Sequence, residues 1–280
     1  LLRAVYQDEF PFPIELVNHY TLPAYAGKQT LVIASSYSGS TEETLMVAQQ
    51  AHKKGCKVVV IAAGGRLVEW AKHYRLPVYR FVPTFNPSTQ PRLGVGYSLF
   101  AMLVVFKHLG LAVSDKEVTS IAAHLKALSQ DWAIEQPSFV NRAKHVAKEL
   151  KGSIPVYVAS EHLHGNGRIA NNQTHETAKS FAATFALPEL NHHLMEGLKN
   201  PTRYSKGLKV VAFRSDRYSA RLQRRYDITR NVVEQNTIDW IEYRPTASTK
   251  LGEACEVLMF SSFVTMYLGL LYKENPITVP

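Results

Sequence analysis

The chain has 280 residues, enough for two domains of ordinary size. Hydrophobic residues make up 46% and charged residues 20%, a balance that excludes a disordered or low-complexity protein. The formal net charge of +9 suits a polyanion or a phosphorylated small molecule, so charge alone selects no ligand.

Short apolar runs alternate with helix-like stretches, which predicts an α/β architecture built on parallel sheets. Leu31–Ser35 is the first strand candidate, followed by a Ser/Gly loop and a helix over 42–54. A second strand is expected at 57–61, a helix at 67–74 and a short strand at 78–81. Pro83, Pro87 and Pro91 mark a loop before an apolar helix over 93–109. Two polar helices are expected over 114–151, broken near Gln136-Pro137, with Ser114 as an N-cap. The order then restarts: 156–160 resembles the first strand and 209–213 the second, and both halves close on an apolar helix containing Leu-Gly-Leu. The growing offset places insertions in the second half, mostly between its first two strands, where functional loops tend to be built. The resulting layout is one domain at 1–113, a helical linker at 114–151 and a second domain at 152–280.

Cys56 and Cys255 lie far apart and form no CxxC, so both are expected to be buried thiols of a reducing compartment. Nothing has the layout of a signal peptide. The apolar stretches 97–113 and 257–272 are shorter than a membrane span and carry polar interruptions, which suits core helices. A soluble, cytoplasmic protein is expected. Arg214, Arg217, Arg221, Arg224 and Arg225 recur near helical spacing, with Tyr218, Leu222 and Tyr226 on the opposite side. That pattern predicts a solvated arginine face over a buried apolar one, not a nucleic-acid surface.

The most informative segment is Ser35-Ser-Tyr-Ser-Gly-Ser-Thr-Glu-Glu-Thr44, between a strand and a helix. A helix N-terminus presents unpaired N–H groups and positive partial charge, which suits a phosphate. Ser36, Ser38, Ser40, Thr41 and Thr44 add hydroxyls, and Gly39 permits close approach of the backbone. Plain N-capping would use one hydroxyl and one carboxylate, and leaves the rest unexplained.

This loop resembles the signature of SIS domains, the sugar-isomerase modules that bind phosphosugars. The resemblance implies that Ser36, Ser38 and Thr41 hold the substrate phosphate. Moving a carbonyl between two sugar carbons needs a proton-carrying base and a group that opens the ring, roles suited to a carboxylate and an imidazole. Glu176 in Asn172-Gln-Thr-His-Glu-Thr-Ala-Lys179 and His192 in Pro188-Glu-Leu-Asn-His-His193 are candidates of those types. Taken alone, each could be an ordinary surface residue. The segment 172–198, with Glu196-Gly197, is similar to the second domain of the bifunctional phosphoglucose/phosphomannose isomerases. That likeness extends to Gln90-Pro-Arg92 and Asn275-Pro276 and covers nearly the whole chain.

The resemblance implies two SIS domains, each a parallel sheet flanked by helices in a flavodoxin-like three-layer sandwich. It implies Glu176 as the base, Arg92 as the enediolate-stabilising cation and His192 as the ring-opening acid/base, reaching across a homodimer. The substrate would be glucose 6-phosphate, converted to fructose 6-phosphate without metal or organic cofactor, with mannose 6-phosphate left open as a second substrate. It further implies that the chain begins after the family's first strand and Gly-Gly-Ser loop and stops before its last helix. His175 and Thr177 stand where the family has Asn, as does His193, and a threonine near Thr278 or Val279 would give room for either C2 epimer.

Two other classes compete. A non-catalytic phosphosugar-binding sensor would keep the serine loop without the base. A metalloenzyme would draw on Glu161, His162, His164, His175, His192 and His193, but their spacing matches no compact metal motif.

Overall fold

The computed structural model describes residues 1–111, 113–202 and 207–278, and Val279 lies outside them. The chain divides into two compact units: Phe10–Val113, and Leu1–Glu9 together with Ser114–Pro280. The helices within 114–151 group with the second unit.

The Phe10–Val113 unit holds β1 (Leu31–Ser35), α2 (Glu42–Lys53), β2 (Lys57–Ala62), α3 (Gly65–His73), β3 (Val78–Arg80), a 3-10 turn (Pro91–Leu93) and α4 (Val95–His108). The short α1 (Leu2–Val5) precedes it and belongs to the other unit. The strands form a parallel sheet in the order β1-β2-β3, with Val32 opposite Val58 and Val60 opposite Val78. Alternation along β2 decides how the sheet is covered. Val58, Val60 and Ala62 pack with Leu45, Ala48 and Ala51 of α2 and Leu67, Val68 and Ala71 of α3. Ile61 turns to the opposite face, where Phe81 and Ala101 of α4 meet it. The result is three layers, with the loops after β1 and β2 gathered at the carboxyl end of the sheet. Cys56 is buried in the first of these cores.

The second unit contains α5 (Asp115–Asp131), α6 (Arg142–Leu150), β4 (Ile154–Ala159), a 3-10 turn (Glu161–Leu163), α7 (His164–Glu176), β5 (Ala183–Ala186) and a 3-10 turn (Glu189–His192). These are followed by α8 (Leu194–Gly197), β6 (Leu208–Phe213), α9 (Ala220–Gln235), β7 (Asp239–Tyr243) and α10 (Lys250–Leu271). Ser114 caps α5 as expected, its hydroxyl accepting from the Glu117 N–H at 3.0 Å. The four strands are parallel in the order β5-β4-β6-β7. Tyr157 of β4 bonds Thr174 of α7 at 2.7 Å on one face. On the other face Val156, Val158 and Val210 line an apolar space with Leu194 of α8 and Thr229 and Val233 of α9. Where the first half has α2 between β1 and β2, this half carries α7, β5 and α8 between β4 and β6, and is longer there as expected.

Two features differ from the sequence reading. The arginine series is not one solvated face. Arg221, Arg224 and Arg225 are exposed on α9, but Arg214 is buried past the end of β6, donating to Gln223 and Asp227 at 2.7 and 2.6 Å. The apolar stretch expected from 257 belongs to a 22-residue helix that starts at Lys250. α10 is long and apolar enough to cross a membrane by composition, yet its buried residues occupy every face. Two of them are acidic. Glu253 accepts from His162 Nε2 at 2.7 Å, Ser215 Oγ at 2.6 Å and Arg217 Nε at 3.0 Å. Glu256 accepts from Tyr243 OH at 2.7 Å, His124 Nε2 at 2.8 Å and the Ala247 N–H at 2.9 Å. Buried carboxylates persist when every lone pair finds a donor. These donors lie at or just beyond the carboxyl ends of β4, β6 and β7, and on α5, so the pairs pin a core helix to the sheet.

Candidate active site

The phosphate-loop candidates fall in the Phe10–Val113 unit, at the carboxyl end of β1. Gly39 adopts φ +73°, and a Cβ there would stand 1.8 Å from the Gly64 carbonyl oxygen. Gly65 is equally tight, since its Cβ would meet the Ser38 carbonyl oxygen at 2.6 Å. The loops after β1 and β2 therefore touch backbone to backbone, which only glycine allows. Ser36 is buried and its hydroxyl accepts from the Gly39 N–H at 3.0 Å, while sharing a hydrogen bond with Thr41 Oγ1 at 2.8 Å. Ser38 is exposed, its hydroxyl accepting from the Ser40 N–H at 3.2 Å.

Thr41 is the N-cap residue of α2, yet its side chain caps nothing. An ordinary N-cap hydroxyl bonds the N–H groups of the first turn. Here the hydroxyl is held by Ser36, so the N–H groups of the first turn keep their positive partial charge for an outside anion.

Arg92 stands in the same unit and is tied to this loop through a chain of polar contacts. Asn86 Nδ2 donates to Tyr37 OH at 2.6 Å and to the Gln90 carbonyl at 2.9 Å. Arg92 Nη1 donates to Gln90 Oε1 at 3.0 Å. Gly94 completes the packing, because a Cβ there would lie 2.4 Å from the Tyr37 ring. Tyr37, in the middle of the serine loop, so links phosphate loop and buried guanidinium. Nothing in the sequence marks Asn86, and Gln90 stands out there only as the residue two before Arg92 in Gln90-Pro-Arg92.

Glu176 and His192 belong to the second unit. Glu176 is the last residue of α7 and is exposed. Its helix is clamped from below: Gln173 donates to Ser262 Oγ at 2.8 Å and Asn166 to the Ala254 carbonyl at 2.8 Å, both on α10. His175, where the resembled family has Asn, accepts the Ala182 N–H on Nε2 at 3.0 Å and so closes the turn beyond the helix. His192 ends the 3-10 turn after β5 and is exposed as well. Its neighbour Asn191 anchors that turn to α9 through Thr229 Oγ1 at 2.9 Å, and His193 pairs with Glu189 at 2.9 Å. The structure thus gathers Ser36, Ser38, Thr41 and Arg92 in one unit, and places Glu176 and His192 in the other.

Among the described residues no three His, Cys, Asp or Glu side chains converge as a metal site requires. His162, part of the histidine-rich region considered for a metal, instead lies buried against Glu253.

The family described as the bacterial phospho-glucose isomerase C-terminal SIS domain matches residues 139–280. A bifunctional phosphoglucose/phosphomannose isomerase of Caldicellulosiruptor bescii is 31% identical, over 100% of this chain and 82% of that protein. Its namesake in Aquifex aeolicus is 28% identical over 96% of this chain and 79% of that one. Among solved structures, the tagatose-6-phosphate ketose/aldose isomerase from Escherichia coli matches with a TM-score of 0.69 at 17% identity. That match covers 91% of this chain and 73% of the other, and it shows the shared fold.

Proposed function

Because the chain belongs to the bifunctional phosphoglucose/phosphomannose isomerase family, we propose that it interconverts glucose 6-phosphate and mannose 6-phosphate with fructose 6-phosphate. The observation that carries this reading is the uncapped start of α2 behind a hydroxyl loop, joined through Tyr37, Asn86 and Gln90 to Arg92.

In the proposed reaction the phosphate rests on the first-turn N–H groups of α2 and on the hydroxyls of Ser36, Ser38 and Thr41. His192, supplied by the partner subunit of a homodimer, moves a proton between the ring oxygen and the C1 hydroxyl and opens the ring. The Glu176 carboxylate then takes the C2 proton. The electron pair forms the C1–C2 double bond, and the former carbonyl oxygen becomes an enediolate oxygen that Arg92 stabilises. Return of the proton from Glu176 to C1, with transfer of the C2 hydroxyl proton to the enediolate oxygen O1, leaves the ketose. The reaction has no net change of oxidation state and needs no co-reactant. The domain reading that accompanies this is 1–113, a linker at 114–151 and 152–280, in a cytoplasmic enzyme of hexose-phosphate metabolism.

The exposure of Glu176 and His192 favours one other reading, a phosphosugar-binding protein without turnover. A coupled assay of the protein, with glucose 6-phosphate and mannose 6-phosphate supplied separately, tells the two apart. Fructose 6-phosphate is expected from both. Binding of either sugar phosphate without conversion would overturn the isomerase reading.

A further inference from the structure

Resting on the proposed role of Glu176, we propose that Lys179 is a positioning residue whose ammonium group locks the main chain that carries the base. Lys179 Nζ donates to the Glu176 carbonyl at 2.7 Å and to the Thr278 carbonyl at 2.5 Å. The two acceptors come from chain segments about a hundred residues apart, so one side chain staples the end of α7 to the segment that follows α10.

A lysine that simply decorates a helix end would be explained by the last carbonyls, which lack intrahelical partners and attract cations. Three observations go further. Lys179 holds φ +53°, a left-handed conformation that a residue with a β-carbon adopts at a cost of about 1–3 kcal/mol. Such strain persists where the surroundings over-determine a geometry, and it clusters at sites where geometry matters. The turn beside it is fixed independently: the Ser180 N–H donates to the Thr174 carbonyl at 3.2 Å, and the Ala182 N–H to His175 at 3.0 Å. On the far side α10 approaches without a side chain between, since a Cβ on Gly269 would stand 2.9 Å from the Thr177 carbonyl oxygen.

The main chain on the C-terminal side of Glu176 is therefore held by a hydrogen-bonded turn, a glycine contact and an ammonium bridge. An exposed carboxylate on a flexible side chain gains most from this, because proton transfer is steep in distance and a 1 Å misplacement costs about a hundredfold in rate. Neither acceptor of the bridge belongs to the phosphate loop. Loss of the bridge is expected to show in kcat and not in KM.

The experiment compares Lys179→Met, Lys179→Asn and Lys179→Arg in the full chain by steady-state kinetics on glucose 6-phosphate, with circular dichroism recording the fold. Asparagine tolerates the left-handed conformation but cannot reach either carbonyl. Met and Asn are expected to lower kcat about tenfold or more with KM within about twofold, and Arg to recover part of the loss. Wild-type kcat in folded Lys179→Met or Lys179→Asn overturns the proposal, as does a change confined to KM. Unfolding of Lys179→Asn also overturns it, because the ammonium would then serve the fold alone. Absence of turnover in the unaltered chain is a different result: it removes the isomerase reading, and this inference with it.

Discussion

Thr41 Oγ1 stands 2.8 Å from Ser36 Oγ, so the N-cap residue of α2 bonds a neighbour in its loop and not its own helix. Ser36 is the keystone of that arrangement, since the same oxygen also accepts the Gly39 N–H. Ser36→Ala leaves a buried N–H without a partner, at a cost of about 1–3 kcal/mol. It also frees Thr41 to cap α2, in competition with the substrate. Urea unfolding should show the stability loss, and KM for glucose 6-phosphate should rise about tenfold. An unchanged KM would detach Ser36 from binding.

Gly39 gives a sharper test of the loop packing. Gly39→Ala must place a methyl group 1.8 Å from the Gly64 carbonyl oxygen at φ +73°, so the loops after β1 and β2 must separate. A loss of more than about 2 kcal/mol is expected. Gly27, where a Cβ meets nothing within 4 Å, is the control: Gly27→Ala should change stability by less than about 0.5 kcal/mol. Equal effects at both positions would contradict the close approach.

Five strands are legible as short apolar runs between turn residues, with β1, β2 and β6 within a residue or two of where the sequence puts them, while β7, with Asp239, Trp240 and Glu242 in five residues, is not. The loop after β1 was legible as well, through its density of hydroxyls. What the sequence concealed is pairing at long range. Glu253 and Glu256 interrupt an apolar run and so disguise the start of α10, and their histidine partners lie 91 and 132 residues away. Spacing alone groups Arg214 with the α9 arginines, whereas it follows directly on β6 and is buried there, a loop before α9 begins at Ala220. The four-residue β5 carries too little pattern to announce itself.

The buried carboxylates yield a third expectation. Glu253→Ala strips an acceptor from His162, Ser215 and Arg217 at once. Removing one partner of a buried ion pair costs about 3–5 kcal/mol. Glu253→Gln retains the shape and part of the hydrogen bonding, and should cost less. Thermal unfolding of the two variants checks the order, and a neutral Glu253→Ala would contradict the role given to this helix.

Burial also sets an alkaline limit. It pushes the Cys255 thiol up to about 12 and the Tyr157 phenol up to about 12, and raises Tyr226 and Tyr243 further. In the unfolded chain these groups ionise from about 8.5 for Cys and about 10 for Tyr. Between those values and the folded ones, the folded state binds more protons than the unfolded, so stability falls as pH rises. It should be fully present at pH 8 and lower at about pH 10.5. Denaturant midpoints at the two pH values measure this, and an equal or higher midpoint at the alkaline value would refute it.

The proton chemistry itself is tested by Glu176→Gln, which removes the base and keeps its size. Dissolved in deuterium oxide with fructose 6-phosphate or glucose 6-phosphate, the unaltered protein should introduce deuterium at the carbon next to the carbonyl, as seen by NMR. The variant should bind the sugar phosphate with affinity within about threefold of the original and introduce none. Deuterium incorporation by the variant at the original rate would show that another group carries the proton.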